Sequence, residues 1–180
     1  KALLEKVFDN SRILKMAAAI GGTLHHNYYG GLLVHTVDTC EIANGICDYY
    51  MNSYAPYQKI INKDLVIAGA LLHDVGKLIS YEGFPSAQKS KRGALVDTAV
   101  ESVIYATGYN SKLPKDLKVK DLGALNHILL TSESTDSKGR KPKIIEAIIV
   151  NHANNFSVKT DGFGKAIFEN DRMSEKRDML

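Results

Sequence analysis

The chain has 180 residues, is 44% hydrophobic, and carries 23 basic and 20 acidic side chains for a formal charge of +3. Such a chain can bury a substantial core and is expected to form one domain, while so mild a charge, without a long basic stripe, permits an anionic substrate but does not by itself signal nucleic-acid binding. No apolar run reaches the ~20 residues that span a bilayer and no signal peptide opens the chain, so no membrane partner is expected and the cytoplasm is the default compartment.

Apolar residues recur mostly at helical spacing and strict two-residue alternation is scarce, which predicts an all-α fold. Helices are expected over residues 2–19, 31–54, 63–79, 93–107, 120–132 and 142–158. No repeat or Pro/Gly-rich linker divides the chain. It opens on Lys1 rather than methionine, which leaves room for a preceding segment.

Gly30 and Gly31 punctuate the start of helix 31–54. At about 100° per residue, Leu32, Leu33, Val37, Cys40, Ala43 and Cys47 form its apolar stripe, and Asp38, Glu41, Asn44 and Asp48 turn away. His35 falls at the stripe's edge, from which an imidazole can reach inward; taken alone it reads as a satisfied or solvent-facing side chain. Cys40 and Cys47, seven apart in one helix, read as buried thiols rather than as a disulfide or zinc cluster.

Helix 63–79, which Asn62 can cap, is apolar around nearly its whole circumference and is expected to be the central buried helix. Its stretch "AGALLHDVGKLI", Ala68 to Ile79, places His73, Asp74 and Lys77 inside that run. A buried carboxylate needs a cation, a set of donors or a proton. Lys77 lies four residues after His73 and three after Asp74, so all three can border one cavity. Two readings stand here: a hydrogen-bonded His-Asp-Lys network, or a metal or phosphate site, which His35 favours by supplying a further nitrogen.

The segment from Ser80 to Gly93, with Lys89, Lys91 and Arg92, reads as a solvated linker rather than a loop closing over an anion. His127 in "LNHILL" reads as structural, and Ser132 to Pro142 as a polar connector. Helix 142–158 carries Ile144, Ile145, Ile148, Ile149 and Phe156 on one face, with His152 near its middle and Asn154 near its margin. Residues 161–180 are charged and weakly patterned, so a helical domain over 1–160 is expected to be followed by a tail or short helix.

With these residues in place, the sequence resembles the HD-domain metal-dependent phosphohydrolase superfamily, whose adjacent pair is His73-Asp74 here. "LHHNYYGGLLVHT" followed by "IAGALLHDVGKL" is most similar to its 3'-5' exoribonuclease branch, and "NHILLTSE" and "IIEAIIVNHANNFSVK" resemble that branch's last core helices. The likeness covers about residues 8–160 and is stronger in the first half. It implies a compact helical bundle presenting an early histidine, the His-Asp pair and a late aspartate to one metal ion. These map onto His35, His73, Asp74 and Asn154, the last a departure because an amide oxygen lacks the charge that helps hold a divalent cation. Lys77 matches the lysine implied to face the phosphate; His26 and Tyr29 match the segment implied to line the substrate pocket. Two-metal members add histidines where this sequence has Asp97 and Ser132-Glu133, which implies a lost second site and at most one ion. The acidic residue usual before the early histidine is Val34, and the branch's nucleic-acid-binding β-barrel is not in this sequence.

The implied cofactor is one divalent ion, and mixed N/O ligation without cysteine suits Mn, Fe, Ni, Co or Mg. Asp74 and Lys77 are the expected catalytic pair: the carboxylate engages the ion and orients water, and the ammonium neutralises charge developing on phosphate. Three readings remain open. One is a one-metal phosphohydrolase of a nucleotide or oligonucleotide. Another is the 3'-5' exonuclease module of a longer protein, acting on single-stranded nucleic acid. The last is a degenerate domain that binds a nucleotide, nucleic acid or protein without hydrolysing it.

Overall fold

The computed structural model describes residues 1–22, 25–83, 88–133 and 140–177, the final ten of them as backbone only. In chain order the helices are α1 (Ala2–Val7), α2 (Asn10–Ala18), α3 (Gly31–Ser53), α4 (Tyr57–Ile60), α5 (Lys63–Leu72) and α6 (Lys77–Ser80). A hairpin of β1 (Tyr81–Glu82) and β2 (Gln88–Lys89) follows, and then α7 (Thr98–Ser111), a 3-10 turn at Lys115–Leu117, α8 (Leu122–Thr131) and α9 (Ile145–Arg177). The all-α expectation holds, with one short antiparallel sheet among the described residues.

Helices α3, α5 and α9 form the centre, with α7 and α8 packed beside them and α1 and α2 closing one side. Ala43 and Cys47 of α3, Val66, Ala70 and Leu72 of α5, Leu125, Ile128 and Leu129 of α8, and Val150 and Ala153 of α9 share one apolar core. Cys47 is buried there as an unpaired thiol that burial pushes up to about 11, and Cys40 is half-buried and free.

The face that α3 buries differs from the one expected. Leu32, His35, Thr36, Thr39, Ala43 and Cys47 are buried, whereas Val37 is 47% exposed. The 32, 36, 39, 43, 47 spacing keeps one narrow arc inward, and Val37 lies about 140° around the helix from Leu32. Thr36 joins that arc because its Oγ1 donates to the Leu32 carbonyl, 2.8 Å away, so its hydroxyl needs no outside partner. His35 is therefore fully inside rather than at an edge.

Two expected helices are broken. Residues 2–19 divide because Asp9 caps α2, accepting from the Arg12 N–H at 3.0 Å. Residues 63–79 divide at His73–Gly76, where Ser102 of α7 inserts into the helical ladder. Its Oγ accepts the Gly76 N–H at 2.9 Å and donates to the His73 carbonyl at 2.8 Å. Gly76 is required there, since a Cβ would stand 2.3 Å from the Thr98 carbonyl oxygen. The region expected as helix 93–107 begins instead at Thr98, because Asp97 accepts the Ala99 N–H at 2.9 Å and caps α7.

The last helix runs to Arg177 instead of ending at 158, so the expected tail continues α9. Thr160 Oγ1 bonds the Phe156 carbonyl and Lys165 pairs with Asp161 one turn away, local contacts that carry the helix through Gly162 and Gly164.

Candidate metal centre

Three elements deliver the site. Helix α3 carries His35, the break between α5 and α6 carries His73 and Asp74, and α9 carries Asn154 and Ser157. All five side chains are buried. The turn imposed by Ser102 is what sets His73 and Asp74 side by side rather than on diverging helical faces.

Nδ1 of His73 lies 2.7 Å from the Ala70 carbonyl oxygen, which can only accept, so the proton is on Nδ1 and Nε2 offers a lone pair. That Nε2 stands 3.2 Å from Nε2 of His35. His35 Nδ1 lies 3.0 Å from Ser157 Oγ, which holds the ring with its Nε2 toward His73; a hydroxyl accepting there leaves that Nε2 free to ligate. Oδ2 of Asp74 is 3.4 Å from His73 Nε2 and 3.5 Å from His35 Nε2. Burial drives the His35 pKa down to about 2, further than the neighbouring Asp74 charge can lift it, so the ring stays neutral.

Asp74 is buried, yet its carboxyl is held below the ordinary carboxylate range: burial opposes ionisation, and the positive charge of Lys77 prevails. Lys77 Nζ stands 2.6 Å from Oδ2 and also donates to the Gly21 carbonyl. Its own pKa is raised, because the Asp74 charge outweighs burial. Asp74 Oδ2 is taken up by the Lys77 ammonium, whereas Asp74 Oδ1 and Asn154 Oδ1 are buried without a donor, although Asn154 Nδ2 donates to the Ser132 carbonyl at 2.9 Å. A cation fits this donor set: the two imidazoles and the Asp74 carboxylate converge, and the cavity they border also holds the unpartnered Asn154 amide oxygen. His35, His73 and Asp74 form a group able to hold a metal ion.

A cavity of about 320 Å³ opens onto these atoms, with His25, Lys77, Glu133 and Asn154 in its wall. Glu133 is exposed on its outer side, but desolvation of its carboxyl at the cavity and the Asp74 charge push it up to about 7. His25 is held down to about 4, first by burial and then by Lys77.

The other sequence-derived residues fall at varied distances. His26 is buried behind the cavity with φ +46°, its N–H bonded to Asp161 Oδ2 at 2.6 Å. Tyr29 is 67% exposed and not in the cavity wall; neighbouring His25, which the sequence reading passed over, takes that place. Asp97 serves as a helix cap. His127 accepts the Lys143 N–H at 2.9 Å, a structural role. Arg92 pairs with buried Glu101 through two contacts of 2.5 and 3.1 Å, so it is a fastening rather than a solvated charge. Residues 84–87 of the expected linker lie outside the described residues. Ser157 and Ser102 have no signature in the sequence, because a serine carries no signal until its partner is known.

This geometry is that of an HD domain: residues 32–159 match the family described by that name, and the chain belongs to it. Among curated proteins it is similar to the 3'-5' exoribonuclease YhaM of Geobacillus sp. (strain WCH70), 27% identical over 147 residues, which cover 79% of this chain and 42% of that protein. The proteins of the same name from Listeria innocua and Listeria welshimeri are 28% and 29% identical over 134 residues, covering 71% of this chain and 38% of each. The chain thus spans about two fifths of the length of these relatives. No solved structure matches it. No described helix is long and apolar enough to cross a membrane.

Proposed function

We propose that the chain is a metal-dependent phosphohydrolase acting on a nucleotide or oligonucleotide phosphate ester. His35, His73, Asp74 and Asn154 would hold one divalent ion, Mn, Fe, Ni, Co or Mg. The observation that carries this reading is the pair of imidazole Nε2 atoms 3.2 Å apart beside a buried carboxylate whose Oδ1 has no donor. A divalent ion there supplies Lewis acidity toward a phosphoryl group. Asp74 presents its remaining lone pairs to the cavity and orients an attacking water. Lys77, anchored by Asp74 and the Gly21 carbonyl, keeps its proton and sets positive charge where the phosphate gains negative charge. His26 and Tyr29 are proposed to act at the substrate's edge, His26 by shaping the loop that aims His25.

Dialysis against chelator, reloading with each ion in turn, and assay of phosphate release from a nucleotide panel test the reading. Metal-dependent release that is lost in Asp74→Ala is expected. Stoichiometric metal without hydrolysis of any nucleotide or oligonucleotide would leave only a binding module. The name of the curated relatives favours a second reading, 3'-5' exonuclease action on single-stranded nucleic acid within a longer protein; stepwise shortening of a 5'-labelled RNA distinguishes it from mononucleotide hydrolysis.

A further inference from the structure

Helix α9 leaves a long apolar stripe uncovered. Ile148, Phe156, Phe163 and Ile167 are 44%, 61%, 71% and 45% exposed, and exposed His152 and Lys159 lie between them. At 100° per residue all six fall within an arc of about 100°, and they extend over about 28 Å of helix. Isolated apolar side chains on a surface are ordinary, but an aligned run of this length marks an interaction face.

The order of residues in the stripe points to its occupant. Laid antiparallel on a second α9 about a two-fold axis midway between residues 157 and 158, every member finds a suitable partner. Ile148 faces Ile167, His152 faces Phe163, and Phe156 faces Lys159, each pair occurring twice. The central lysine, which would spoil an apolar seam in other registers, then lies against an aromatic ring. At each end the partner's Ile167 meets a cavity of about 460 Å³ walled by Tyr50, Tyr57, Ile148 and His152. The four apolar side chains expose roughly 500 Å² together, and the His152 and Lys159 stems with Tyr50 bring the patch near the ~800 Å² per partner of a stable interface.

We infer that this face is a two-fold interface between two copies of the chain, built on antiparallel α9 helices in the register that pairs Ile148 with Ile167. The interface is isologous, as a two-fold dimer requires, and independent of the metal centre, whose residues lie on another face of α9.

Sedimentation equilibrium of the 180-residue chain tests it. The expected result is a dimer at tens of micromolar, converted to monomer by Phe163→Glu with unchanged helical circular dichroism. Register is read by mild oxidation: the double variant Ile148→Cys, Ile167→Cys should form a covalent dimer, and neither single variant should, since like positions stand about 28 Å apart. A monomer at every concentration, a dimer indifferent to Phe163→Glu, or a dimer that the double variant cannot link overturns the proposal.

Discussion

At Asn154 the amide nitrogen is satisfied by the Ser132 carbonyl and the amide oxygen by nothing, so the side chain is fixed with a free acceptor in the wall of the cavity proposed to hold the ion. A carboxylate there would add a full charge to a site that now has one, an attraction to a divalent ion of several kcal/mol even after strong screening, reduced by repulsion from Asp74. Asn154→Asp should therefore tighten Mn binding by about tenfold or more in titration calorimetry. The metal-free variant should be less stable, because the Ser132 carbonyl keeps only its Asn151 donor and a second carboxylate joins Asp74 in the cavity wall. Unchanged affinity would place the late ligand elsewhere. Asp161, the next acidic residue on α9, is occupied: it accepts the His26 N–H and pairs with Lys165 at 2.7 Å. Burial raises its pKa, but these contacts outweigh it and hold the carboxyl below 3.8. The folded chain keeps Asp161 ionised where the unfolded chain begins to protonate, so its contribution to stability is full above the unfolded value of 3.8 and is lost as pH falls through the folded one. Chemical unfolding of Asp161→Asn below pH 4 should show a shallower loss with acid than the parent chain.

The breaks between helices position the ligands more than the helices themselves do. Removing the Ser102 hydroxyl leaves the Gly76 N–H and the His73 carbonyl buried without their partner, at about 1–3 kcal/mol each. Ser102→Ala should lower unfolding free energy by about 2–6 kcal/mol and weaken metal binding too, since the turn aiming His73 and Asp74 loosens. Asp97→Ala is the contrasting case: loss of an N-cap costs about 1 kcal/mol, and metal content should not change. A fall in metal content with Asp97→Ala would make that carboxylate a ligand after all. The helical class and the helix starts near residues 2, 31 and 63 were legible from spacing, and the grouping of His35 with His73 and Asp74 was legible through the family resemblance; the start of α7 and the reach of α9 were not. The break at His73–Gly76 was not, for it depends on a serine 26 residues further along the chain. Nor was the choice between His25 and His26, which are adjacent and both pack against His35, with only His25 in the cavity wall.

Across the whole molecule, the proposed ligands come from positions 35, 73, 74 and 154, which only the folded chain brings together. An ion bound there must stabilise the native state by mass action, because the unfolded chain offers no comparable set. At one hundred times the dissociation constant the gain is about 2.7 kcal/mol. For a chain of this length each kcal/mol moves the midpoint by about 2–4 °C, so saturating metal should raise Tm by roughly 5–11 °C. Chelator should reverse the rise, and His35→Ala should lack it while retaining the helical spectrum. Magnesium should act more weakly than the imidazole-preferring ions, since two of the four donors are nitrogen. If none of Mn, Fe, Ni, Co or Mg moves the midpoint of the parent chain, the convergence of these side chains serves only as a buried polar network, with Lys77 in the place of the ion, and the hydrolase reading falls with it.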